Sequence, residues 1–395
     1  MDFTFSEEQQ AAVEAARAVF APVAPDGVPS PALTSGAVAD DFDRALWAKT
    51  AEADLLSLLI APEHGGAGLD AIALCLILRE AGKVLARVPL LEHSAAVATM
   101  QSYGRPELRQ KLLPAAGRGE TVLTVASAGR TGHDSADLAV TARRAPDGDD
   151  GDDSEGDGGD GGGWVLDGVQ TAVPWAWNAD RIVVPAHTAE GATVLALLPG
   201  PATEVKGRSF AEQFSTTGER LAELRLEGAR VAARDVIRDP AAWPLLHGLL
   251  TTGTCALALG LGERVLAMTS DYASKREQFG HPIATFQAVA VQAADRYIDL
   301  RAMEVTLWQA AWRLSSGASG QLPVTGDVAV AKTWASDGVR RIVQTAQHLH
   351  GGFGADTDYP LHRYHAWAKH LELALGPAAA HEETLGDLLA AHPLG

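Results

Sequence analysis

The apolar residues of this chain change their period twice. Up to about residue 119 they recur at helical spacing. Short alternating runs begin at Thr121, and from Ala241 helical spacing returns over much longer segments. The expected fold is therefore α+β multidomain: an all-α block over 1–119, a small β-barrel or sandwich over 120–238, and a C-terminal four-helix bundle over 239–395.

Within the first block, Ser6-Glu-Glu-Gln9 reads as a capping box before an Ala-rich helix ending near Phe20. Further helices are expected over about 43–53, 69–85, 91–103 and 106–115. The middle block offers β runs at 122–125, 138–141, 163–166, 181–184, 193–197, 221–226 and 229–236. It is interrupted by a Gly/Asp low-complexity loop, 146–163, too polar to bury the surface that ordering requires. Long helices are expected over about 245–275, 285–316, 325–350 and 361–391. Their small-residue faces, such as Ala256-Leu-Ala-Leu-Gly-Leu-Gly262, suit close packing within the chain or between subunits.

With 395 residues and 47% apolar content, the chain can bury a large core. Its 32 basic and 50 acidic residues give −18, which argues against nucleic acid or an anionic membrane as partner. Eight acids and no base lie between Asp147 and Asp160, so much of that charge is local. Cys75 and Cys255 sit in apolar helical runs and read as reduced core residues of a cytoplasmic protein. Met1-Asp-Phe-Thr-Phe-Ser-Glu lacks the basic start of a signal peptide. The apolar run 245–261 approaches the length of a membrane span, but its Gly, Thr and His content favours a buried helix and no membrane insertion.

The chemistry concentrates in Tyr272-Ala-Ser-Lys-Arg-Glu-Gln-Phe-Gly280-His-Pro-Ile-Ala-Thr-Phe-Gln287. A basic pair closes a long helix, Phe279-Gly280 and Pro282 stop it, and a new helical pattern carries Gln287 in its first turn. The residues suit an anion site, with Arg276 for a diphosphate and Gln287 as an amide partner; a solvated basic turn is the plainer alternative.

The order Arg276-Glu-Gln-Phe-Gly-His-Pro-Ile, with Phe286-Gln287 following, resembles a signature of the acyl-CoA dehydrogenase family. So does His350-Gly-Gly-Phe-Gly354 with Asp358-Tyr-Pro-Leu-His-Arg-Tyr364 about 70 residues on, and so does Ala61-Pro-Glu-His-Gly-Gly-Ala-Gly-Leu-Asp70 near the start. The resemblance covers essentially the whole chain. It implies FAD as cofactor, an acyl-CoA thioester as substrate, and electron-transfer flavoprotein as electron acceptor. The implied reaction is α,β-desaturation: a carboxylate removes the α proton and the β hydrogen leaves as hydride to the flavin.

In most members the base is a glutamate about a dozen residues after the Arg-Tyr of the second signature, where this chain has Leu375. A minority place it 26 residues before the Arg of the first, where this chain has Leu250. Glu372, one turn before Leu375, is a weak candidate, since helix geometry turns it about 60° away. The usual Thr-Glu-Pro-x-x-Gly-Ser-Asp loop is replaced by Ser127-Ala-Gly-Arg-Thr-Gly-His-Asp134, and the Trp-Ile-Thr segment by Val173-Pro-Trp-Ala-Trp-Asn178. There Trp175 or Trp177 would either stack on a ligand or serve as buried barrel aromatics. His348 stands where a Gln is customary. By contrast, Arg276, Phe279, Gln287, Gly351 and Gly352 match positions that one subunit donates to its neighbour's FAD. No cluster of residues in the sequence asks for a metal ion.

Three functions are compatible with that pattern. One is the subunit lacking the glutamate in an α2β2 heterotetrameric dehydrogenase. The segments 357–364 and 369–376 resemble those of such enzymes, which act on bulky sterol side-chain CoA esters beside a catalytic paralogue. The others are a self-sufficient homo-oligomer using a non-standard base such as Glu372, and a non-catalytic scaffold paralogue.

Overall fold

The structure, a computed structural model, describes residues 4–25, 28, 34–39, 41–132, 135–145 and 163–393. The acidic loop expected over 146–163 lies outside these residues except for Gly163. The two changes of period read from the sequence correspond to two changes of architecture. Helices α1 (Glu7–Phe20), α2 (Arg44–Glu52), α3 (Ala71–Lys83), α4 (Leu90–Tyr103) and α5 (Pro106–Gly117) come first. The Ser6 capping box forms, with Gln9 N–H donating to Ser6 Oγ at 3.2 Å and Ser6 N–H to Gln9 Oε1 at 3.0 Å.

Eight strands then build one continuous sheet: β1 (Leu123–Val125), β2 (Val140–Arg144), β3 (Trp164–Pro174), β4 (Arg181–His187), β5 (Thr193–Pro199), β6 (Arg208–Phe214), β7 (Arg220–Val231) and β8 (Val236–Ile237). They run in the order β6-β7-β3-β2-β4-β5-β8, with β1 branching off in parallel beside β4. Two details depart from the sequence expectation. The runs at 221–226 and 229–236 are mainly one strand, β7, with its register shift beside Gly228 (φ +68°). Strand β6 was not anticipated: it lies at the sheet edge, and Arg208-Ser-Phe-Ala-Glu-Gln-Phe214 carries too few apolar residues to alternate clearly.

The C-terminal part contains α6 (Ala242–Lys275), the short strands β9 (Glu277–Gln278) and β10 (His281–Pro282), α7 (Gln287–Ser316), α8 (Val324–His350), α9 (Leu361–Leu373) and α10 (Ala378–Ala391). The expected helix over 361–391 is broken. Its chain leaves α9 at Ala374 (ψ 132°), passes through left-handed Leu375 (φ +57°) and Gly376 (φ +97°), and restarts after Pro377. A Gly-Pro pair permits this exit and forbids a continuous helix.

Helix α6 passes by length and composition for a membrane span, yet its most apolar stretch is mostly buried inside the chain. Its small residues serve an internal contact and not the subunit contact that the sequence also allowed. A Cβ on Gly260 would stand 1.9 Å from the Arg79 carbonyl oxygen, and one on Gly82 would stand 2.3 Å from that of Leu257. Helices α3 and α6 therefore touch backbone to backbone. The outward apolar face lies instead on α7, where Val291, Ile298, Val305 and Trp312 are exposed at seven-residue intervals and so share one side of the helix. Cys75 and Cys255 are free and buried, as expected. One large apolar core joins α1–α9 to one side of β1, β4 and β5, and a second core is built from the strands.

Candidate active site and cofactor-contact surface

A cavity of about 370 Å³ opens where α3, α4, α6, the end of β3 and the end of α9 converge. Leu250 of α6 and Leu375 of the loop after α9 both line it, although 125 positions separate them in the chain. Much of the wall is aliphatic, including Leu78, Leu91, Leu257 and Leu371. The segment that carries Leu375 is anchored from two sides. His381 Nε2–H donates to the Leu375 carbonyl at 2.8 Å. The fully buried Lys332 reaches the C-terminal end of α9, donating to the carbonyls of Leu371 and Glu372 at 3.1 Å each and to Ser336 Oγ at 2.7 Å. An ammonium at a helix C-terminus satisfies orphan carbonyls and opposes the helix dipole. Burial pushes its pKa down to about 8.

Glu372 does not line the cavity. Its carboxylate is held instead in ion pairs, with Lys369 Nζ at 2.6 Å and Arg340 Nε at 3.8 Å. The carboxyl that does face the cavity is Glu92 on α4, whose Oε2 accepts from Trp175 Nε1 at 3.1 Å. Burial in this apolar setting pushes Glu92 up to about 7. A second acid of the wall, Glu219, is ion-paired with Arg87 at 2.6 Å. Trp175 thus serves the cavity, whereas Trp177 is a barrel aromatic, packed near Phe210 and under the Arg220 guanidinium.

Backbone strain marks the same place. Six non-glycine residues have left-handed φ among those described, and four of them, Leu85, Ala172, Trp175 and Leu375, line this cavity. Such conformations each cost about 1–3 kcal/mol and persist where the surroundings fix them.

The residues expected to contact a cofactor gather elsewhere, at the far ends of α6 and α8. Strands β9 and β10 form a two-residue hairpin whose tip is Phe279 (φ +55°) and Gly280 (φ +77°). That turn normally takes Asn-Gly, so a phenylalanine there is strained; it is 92% exposed. Arg276, Gln287 and His348 are exposed, as are Gly351 and Gly352, which have open space where a Cβ would stand. An aromatic stack draws the two motifs together. Tyr272 packs face to face on His350 (4.3 Å, 22°) and Phe353 (5.6 Å, 12°), and Tyr359 hydroxyl bonds His350 Nε2 at 3.1 Å. An exposed guanidinium, an amide and open glycine backbone are groups that suit a phosphate.

Sequence reasoning missed Glu92, Lys332, His381 and the Tyr272 stack. Glu92 was visible as an acid inside the apolar run of α4, Leu90-Leu-Glu-His-Ser-Ala-Ala-Val-Ala-Thr-Met100. Lys332 and His381 gave no local signal, because their partners lie on another helix or loop.

The buried histidines set an acid limit on stability. Burial lowers His93, His370 and His381 to about 4 from 6.5, so the unfolded chain takes up protons there first as pH falls. Each costs about 2 kcal/mol between pH 8 and pH 5. Glu92, raised from 4.5 to about 7, works in the opposite direction and returns slightly more than one such share. A net loss of about 3 kcal/mol is expected over this range, read from urea midpoints at pH 8, 6 and 5. Stability that stays level or rises over the range would contradict it.

Comparison with known proteins bears on the family and the fold. The acyl-CoA dehydrogenase N-terminal domain profile matches residues 6–120 and the C-terminal domain profile residues 251–389. Acyl-CoA dehydrogenase FadE27 of Mycobacterium tuberculosis is 37% identical over 361 residues, 89% of this chain and 90% of that one. Among solved structures, the ChsE4-ChsE5 complex from Mycobacterium tuberculosis superposes with a TM-score of 0.84 at 34% identity, covering 100% of both chains. A variant of the Tcur3481-Tcur3483 steroid ACAD gives 0.83 at 34% identity and 98% of both.

Proposed function

Because the chain belongs to the acyl-CoA dehydrogenase family, we propose that it is the subunit without the catalytic glutamate in a two-chain, FAD-dependent acyl-CoA dehydrogenase. The observation that carries this reading is the meeting of Leu250 and Leu375 in one cavity. The two positions at which the family keeps its base converge there, and both side chains are aliphatic. A leucine cannot accept the α proton, and in this reading the proton acceptor comes from the partner chain.

FAD, the cofactor of this family, supplies the hydride acceptor when bound. This chain's part is to hold it from one side. Arg276 would offer a charge-assisted pair to the diphosphate, Gln287 an amide, and Gly351-Gly352 open backbone; Phe279 would present its ring from the hairpin tip and His348 its imidazole from the end of α8. The α7 stripe gives the same assembly an apolar surface to bury. A bulky acyl group of sterol side-chain type fits the reading, since two similar solved structures are a two-protein complex and a steroid enzyme. Electron-transfer flavoprotein would then reoxidise the flavin.

Flavin released on denaturation, counted per chain, tests the proposal. The chain alone should carry little, and its complex with a glutamate-bearing paralogue about one per pair. Arg276→Ala in that complex should lower flavin retention at least tenfold, as expected for removing a charge-assisted phosphate contact. One flavin per chain in the isolated protein would overturn the shared-site reading.

A further inference from the structure

We propose that Glu92 is the polar recognition group of this chain's own cavity, taking the hydroxyl of an otherwise apolar, compact ligand. Pockets that bind small molecules are mostly apolar and hold a few placed polar groups that fix orientation. This cavity has that composition and, at about 370 Å³, that size.

Its other charged side chains already have partners. Glu219 is paired with Arg87, and Lys369 with Glu372. His370 is held neutral by burial. Glu92 differs from them. Apart from its own backbone amide, the hydrogen-bond partner recorded for its carboxyl among the described residues is Trp175 Nε1, which donates to Oε2, so acceptor capacity is left for a ligand. A carboxyl kept in an aliphatic wall is costly unless something hydrogen-bonds it.

Trp175 is the positioning residue. It holds Glu92 from a strained backbone (φ +56°), next to a register shift in β3 and the equally strained Ala172. A hydroxyl matches the carboxyl in either protonation state, since it donates to a carboxylate and accepts from a carboxylic acid. A cationic ligand would need a carboxylate that stays ionised, which burial here opposes. Glu92 has this role whether or not the chain shares a flavin, and flavin counts are unaffected by the test below.

The test uses the full chain and two probes of nearly equal size, 2-decalol and decalin, titrated by calorimetry or ligand-observed NMR. An apolar cavity alone prefers the hydrocarbon, because burying an unmatched hydroxyl is unfavourable. The wild-type chain should reverse that order and bind the alcohol at least tenfold more tightly. Glu92→Leu should restore the preference for decalin, Glu92→Gln should keep a reduced preference for the alcohol, and Trp175→Phe should cut it several-fold without loss of decalin binding. Equal affinities in the wild type, no binding of either probe, or an alcohol preference that survives in Glu92→Leu would each overturn the assignment.

Discussion

Gly260→Ala is expected to destabilise the chain by more than about 4 kcal/mol, enough to remove most of the margin of an ordinary domain. Helix propensity alone predicts the opposite sign, a gain of about 1 kcal/mol for alanine in a helix interior. Geometry decides between them. The new methyl carbon would stand 1.9 Å from the Arg79 carbonyl oxygen. That oxygen belongs to the backbone of α3, so no rotamer change relieves the clash and the two helices have to separate. Separation at this crossing also opens the cavity, whose wall includes Leu78, Ala81 and Gly82 from α3 and Leu250, Thr254 and Leu257 from α6. Urea denaturation would show the loss directly, with Gly386→Ala as a control, because a Cβ on Gly386 meets nothing within 4 Å. A Gly260→Ala midpoint within about 1 kcal/mol of wild type would mean that α3 and α6 are not held as described.

Lys332→Ala should cost about 3 kcal/mol, and Lys332→Met about half as much. The alanine variant loses both the buried four-carbon stem and the ammonium that donates to Ser336 Oγ and to the carbonyls of Leu371 and Glu372. Methionine restores most of the stem, so the difference between the two variants reports packing. What they share reports the helix end. The loss is moderated because the ammonium is itself disfavoured by burial, which lowers its pKa to about 8. Both variants should speed amide exchange at Ala374 and Gly376, whose N–H groups bond His370 O and Leu373 O at the end of α9. If exchange there is unchanged while global stability falls, Lys332 acts through packing alone and does not hold the segment that carries Leu375.

The sequence was most legible where one period dominates. The order of helical and strand-rich parts follows from period alone, and the signature at 276–287 pointed to the surface on which Arg276, Phe279 and Gln287 now lie. Legibility failed where a residue's meaning depends on something distant. Strand β6 exists because β7 pairs with it, not because its own residues alternate. The break at 374–377 was written in Gly376-Pro377, but the leucine-rich run before it obscured the stop. Glu372 is the acid nearest Leu375 in sequence yet faces Lys369 and Arg340. Glu92, remote in sequence, faces the cavity. Local proximity was a poor guide to which carboxyl lines the cavity.

The stripe of Val291, Ile298, Val305 and Trp312 bears on how such a chain must be supplied in a cell. Four large apolar side chains in register on one helix face are an aggregation liability while uncovered, so on the proposed two-chain reading a surplus copy without its counterpart would be the form that sticks to itself or is degraded. On the proposed two-chain reading, the abundance of this chain would be governed by the rarer member of the assembly. Matched synthesis of the two chains, through shared transcription or coupled translation, would then follow from the surface itself and not only from regulation.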